Sequence, residues 1–154
     1  MKPQTLILAI ACSLAVACGS AKKSQRTAIT TSNPSPAIEY EMLDNNTYKL
    51  TSIATDETYG YCEKNAIKVG GSRKNGAASE RKFLNALFGP NGETITYVRR
   101  GSCCMLKSPD GINGLALLDV YEVSYSGPEK PILLYINMYD SEALQAPKGF
   151  TFKQ

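Results

Sequence analysis

Apolar and polar positions alternate most regularly over residues 117–125 and 131–139, the two strongest strand patterns in the chain. In the first, Leu117, Tyr121, Val123 and Tyr125 share a face with Asp119. In the second, Ile132, Leu134, Ile136 and Met138 oppose Leu133, Tyr135, Asn137 and Tyr139. The Ser-Gly-Pro-Glu-Lys stretch at 126–130 joins them as a hairpin with one richly apolar face. Weaker patterns predict strands over 47–53, over 66–69 ahead of Gly70-Gly71, over 94–100 after the Asn91-Gly92 turn, and a closing edge strand at 150–152. Residues 102–114, rich in Gly, Pro, Asp and Asn, read as a long loop holding Cys103-Cys104, and 141–145 as a single helical turn.

One segment has the other period. Phe83, Leu84, Leu87 and Phe88 fall at helical spacing, Ser79 can cap the start, and Gly89-Pro90 stops the run, predicting a helix over 79–88. About five strands and one helix predict an α+β domain, a small antiparallel sheet with the helix packed on one face.

The first residues do not belong to that domain. A basic start at Lys2 leads into an unbroken apolar and small-residue run over 6–17, too short to span a bilayer, which reads as a signal peptide covering 1–17. Leu14-Ala15-Val16-Ala17-Cys18 resembles a bacterial lipobox and makes Cys18 the expected lipidation site. The plain alternative is that Ala15-Val16-Ala17 is an ordinary small-x-small cleavage site. Residues 18–46 are then a lipid-anchored tether, Ser-, Thr-, Lys- and Pro-rich through residue 37, and 47–154 the single folded domain. Lipoproteins that reach the outer surface often carry an acidic run after the acylated Cys, and none follows Cys18, so the resemblance implies the outer membrane with the domain facing the periplasm.

Composition narrows the chemistry. Removing Lys2 from 17 basic residues leaves 16 against 14 acidic ones, a balance too nearly neutral to imply nucleic acid. His and Trp are absent, so the commonest general base and the commonest nitrogen ligand for a metal are missing, and no cofactor is expected. The Gly70-Gly71 to Gly76 loop lacks the Lys-Ser or Lys-Thr ending of a phosphate loop. Arg73, Lys74, Arg81 and Lys82 around the predicted helix start remain as a weak anion site, against the simpler reading of a solvated basic face.

Three thiols fall in the domain: Cys62, Cys103 and Cys104. In an oxidising compartment Cys62 bonded to one of the pair would staple the strand region to the loop. A bond between neighbours sets their Cα atoms closer than disulfide geometry prefers. Arg99 and Arg100 would lower a nearby thiol pKa, so reactive thiols stand beside the structural reading.

Tyr59-Gly60-Tyr61, residues 64–71, Gly89-Pro90-Asn91-Gly92, Arg100-Gly101-Ser102-Cys103-Cys104 and residues 135–140 resemble a family of small Gram-negative lipoproteins, over most of 48–152. Gly-Ser-Cys-Cys is the most specific segment. Cys62 and Ala66 depart from the family pattern, which has a residue other than Cys and a Pro there. The resemblance therefore implies a bond or shared role within the Cys103-Cys104 pair. Members often carry the name 2-dehydro-3-deoxyphosphooctonate aldolase, which implies an aldolase activity. Sugar-acid synthases of that kind resemble eight-stranded barrels of about 250 residues, beyond the reach of this chain.

The functional expectation is a non-enzymatic binding or interaction module, held at a membrane by lipid and meeting an envelope protein or glycan. The alternatives are redox or covalent chemistry at Cys103 and Cys104, and the aldolase.

Overall fold

A computed structural model describes residues 38–71, 75–128 and 130–154. The elements run β1 (Met42–Asp44), β2 (Thr47–Tyr48), a single 3₁₀ turn (Glu63–Asn65), β3 (Ile67–Lys68), α1 (Ala77–Leu84), β4 (Leu87–Phe88), β5 (Thr96–Ile112), β6 (Leu115–Ser124), β7 (Ile132–Asn137) and β8 (Thr151–Phe152). The fold is α+β, with strands in three small sheets and one α-helix.

The main sheet has the order β3-β7-β6-β5. β5–β6 and β6–β7 are antiparallel, whereas β3 lies parallel to β7 with Ile67 opposite Ile136. It is therefore mixed, because the chain enters β3 long before β7 is laid down and returns to its free edge in the same direction. An eight-stranded parallel barrel, which the aldolase label implies, is not the architecture of the described residues.

Helix α1 presses Phe83 and Leu84, both without solvent exposure, into a core shared with Ile67, Val69, Tyr121, Val123, Leu134, Ile136 and Phe150. It is shorter than the 79–88 expected. Gly76 caps it without a side-chain bond, Asn85 closes it, and Leu87 and Phe88 pair as strand β4 with Phe152 and Thr151. An apolar run of that length fits either period, and a partner far along the chain decides it.

Three further expectations are corrected. Residues 40–44, placed in the tether, are folded: Tyr40 stacks on Tyr48 with ring centroids 5.0 Å apart, and β1 pairs β2. Tyr40 and Met42 pack against the core, while Leu43 is exposed. The expected loop at 102–114 is strand instead, because β5 runs through it to a two-residue turn at Asn113-Gly114. Both turn residues have positive φ, 54° and 78°, as a type I′ hairpin turn demands. Residues 141–145 form no helical turn; Ser141 makes an isolated bridge with Val69.

Candidate functional site

Three interruptions break the β5–β6 ladder. Arg100 is the extra residue between Arg99–Tyr121 and Gly101–Val120; Cys104 is the extra residue between Cys103–Leu118 and Met105–Leu117; residues 108–111 leave the ladder between Lys107 and Ile112. Cys103 and Cys104 are bonded to each other, and Cys62 is free at the start of the 3₁₀ turn. The expected staple from Cys62 is thus replaced by a bond within the pair, since Cys104 as a bulge residue can turn its sulfur back toward its neighbour. Its φ of 55° lies in the left-handed region, uncommon for any residue but Gly. Both bonded cysteines are half-buried, on a strand that forms the sheet's edge.

Beside the pair lies a charged cluster. Arg99 donates through Nε and a terminal nitrogen to both carboxylate oxygens of Asp119, at 2.5 and 2.8 Å, and a terminal nitrogen also reaches Ser102 at 2.7 Å. Ser102 in turn donates to Asp119 over 2.8 Å. Asp119 is only 2 % exposed. Burial works to raise its pKa, but the hydrogen bonds from Arg99 and Ser102 outweigh it and hold the carboxyl below its ordinary value.

Behind Asp119 stands Glu80 of α1, with no exposure to solvent. Tyr121 donates its hydroxyl to Oε2 over 2.8 Å, and the Glu80 carboxyl, when it carries its proton, donates to Asp119. Burial first, and the nearby Asp119 charge as well, push Glu80 up to about 7 against the opposing bond from Tyr121. A carboxyl that keeps its proton lets Glu80 sit beside an ionised Asp119, whereas two bare carboxylates there would repel. The cluster holds β5, β6 and α1 together, with Asp119 and Glu80 buried beneath the exposed Arg99 and Ser102.

At the far end of the hairpin, Ser108 donates to Asp140 Oδ1 over 2.6 Å and Asn137 to Oδ2 over 2.8 Å. Asn137 Oδ1 accepts from the Tyr139 and Asp140 amides, so this turn is closed on itself and pins residues 108–111 to the end of β7. On both sides of that pin the hairpin shows apolar side chains. Met105 is 65 % exposed, Ile112 69 %, Leu117 44 % and Leu115 39 %. Met105 is opposite Leu117, and Lys107 and Ile112 are both opposite Leu115, so the four apolar side chains share one face with Lys107, the face of β6 that also carries Asp119, Tyr121 and Val123.

Of the four residues of the expected anion site, two are described. Arg81 and Lys82 lie in the last turn of α1, where cations complement the carbonyl end, and Lys82 sits over the Tyr48 ring at 5.9 Å. Arg73 and Lys74 lie outside the described residues, as does Cys18. A small hollow of about 40 Å³ beside Tyr40, Tyr48, Gly71, Ser79 and Lys82 holds a water or two and no drug-sized ligand. Among the described residues no group of three potential metal ligands comes together, and no helix is long and apolar enough to cross a membrane.

The sequence reading missed Glu80 and the exposed hairpin face. Glu80 precedes Phe83 by three and Leu84 by four, which places it on the buried stripe. The hairpin was legible in Ile112-Asn113-Gly114-Leu115, an Asn-Gly pair between apolar residues. No protein-family model, curated protein or solved structure matches the chain.

Proposed function

We propose that the chain is a lipid-anchored cell-envelope protein, carried on Cys18 at the outer membrane, whose domain is a non-enzymatic module that docks a partner protein through the end of the β5–β6 hairpin. The observation that carries this reading is the face made by Met105, Ile112, Leu115 and Leu117, four large apolar side chains held in solvent by a rigid, pinned hairpin. Clustered exposed apolar side chains mark interaction surfaces. Flexible Met and aliphatic residues with no aromatic platform suit a protein rather than a glycan. The resemblance to small lipoproteins supports the same address.

A photo-crosslinking residue placed at Leu117 in cells tests the docking surface. A discrete protein adduct at Leu117, absent at the exposed control Thr51 and lost when Met105→Ser and Ile112→Ser are added, is the expected result. Adducts to lipid or glycan alone, or equal labelling at Thr51, would overturn it. The address is tested by the intact mass of the membrane-extracted protein, which should begin at an acylated Cys18.

One observation favours thiol chemistry as a second reading: the Cys103–Cys104 bond is half-exposed on an edge strand.

A further inference from the structure

β5 pairs with β6 on one side and with no other described strand on the other, so the Cys103–Cys104 bond sits on a rim that a thiolate can approach. The bond and the bulge are one object. Cys104 is the residue that has no partner in the ladder, and it is held at a φ of 55°, where a side-chain-bearing residue is strained. The bond to Cys103 is what ties Cys104 back in that conformation. Further along, residues 108–111 form a second excursion between Lys107 and Ile112, both paired with Leu115. This excursion can take up one more residue without moving the Asn113-Gly114 turn.

We propose that the Cys103–Cys104 disulfide is a reversible two-electron switch that sets the register of β5 against β6. A dithiol reductant opens it. One thiolate of the reductant attacks a sulfur of the pair, forming a mixed disulfide and expelling the neighbouring cysteine as a thiolate, which takes up a proton. The reductant's second thiolate then closes on its own partner sulfur and expels the other cysteine, so two thiols form as the reductant becomes a disulfide. Freed of the ring, Cys104 relaxes to extended backbone and pairs with Leu117. Residues 105–107 slip by one, and the extra residue passes into the 108–111 excursion. Because side chains alternate with period two, a one-residue slip turns Met105 and Leu106 each to the opposite face, while Lys107 is the residue that leaves the ladder. Cys62, on the 3₁₀ turn, takes no part.

The test uses the full-length protein in dithiothreitol buffers of graded poise, reading maleimide mass labels and amide hydrogen exchange. Under native conditions Cys103 and Cys104 should label together and be restored by oxidation. Exchange over 104–107, where ladder partners change, should shift by about tenfold or more while β7 and α1 keep their protection. Cys104→Gly, which accepts the positive φ without a bond, should keep the oxidised exchange pattern in either buffer. Cys103→Ser should show the reduced pattern without reductant, and Cys62→Ser should respond as the parent does. Labelling of the pair only after denaturation, loss of β7 protection along with β5, or identical exchange before and after reduction would each overturn the switch.

Discussion

The hydroxyl of Tyr121 donates to Glu80 across 2.8 Å, tying β6 to α1 through a carboxyl sealed from solvent. Glu80 keeps its proton up to about pH 7, while in the unfolded chain it ionises near the ordinary 4.5. The stability it contributes is therefore complete below pH 4.5 and declines as pH rises toward 7, above which it is flat. Asp119 acts in the opposite sense, losing its contribution as pH falls below the ordinary 3.8. Glu80→Gln keeps an acceptor for Tyr121 and has no proton to lose. Relative to the parent it should gain on the order of 2 kcal/mol between pH 4.5 and 7.5, measured by urea melts at each pH.

Two neighbouring arginines should differ sharply. Arg99→Ala leaves the buried Asp119 carboxylate without its main partner and should cost about 3 kcal/mol. Arg100 meets Glu122 at 3.3 Å with its own side chain 61 % exposed, so Arg100→Ala should cost less than about 1 kcal/mol. Equal losses in denaturant melts would show that Asp119 does not depend on Arg99.

Two glycines are required for different reasons. A Cβ at Gly70 would collide with the backbone carbonyls of Tyr139 and Asp140, which cannot swing aside, and Gly70→Ala should cost about 2 kcal/mol or more. At Gly92 nothing lies within 4 Å, but the backbone sits at φ 86°, and Gly92→Ala should cost only about 1 kcal/mol. Thermal melts of the two variants separate crowding from conformational strain.

On the hairpin, Met105→Ser with Ile112→Ser removes side chains that touch more water than protein. Melting should stay within about 0.5 kcal/mol of the parent. The crosslink at the hairpin end should disappear all the same, which distinguishes a contact surface from a structural one.

The α+β class, β6, β7 and the closing strand at Thr151–Phe152 were legible because their alternation is undisturbed. β5 was not. Each bulge shifts the alternation by one, so Arg99-Arg100 and Cys103-Cys104 break the period that identifies a strand, while Pro109 and Gly111 lie in the 108–111 excursion and imitate a loop. The helix end was misplaced because Leu87 and Phe88 continue the helical stripe, and only the distant Thr151 and Phe152 claim them for a sheet. The cysteine pairing turned on backbone shape at one residue, Cys104, which composition cannot express.

The parallel seam between β3 and β7 joins Ile67–Lys68 to Ile136–Asn137, the two ends of most of the domain, whereas β5 and β6 are joined by a two-residue turn. The hairpin can form on the order of 1–10 μs from local sequence alone, and the seam only after the intervening chain has been gathered. A nascent chain emerges N-terminus first, so Ile67 and Val69 wait unpaired until β7 appears. Closure of the core is the last act of folding, and a chain cut short before residue 132 would possess a complete hairpin around an open interior.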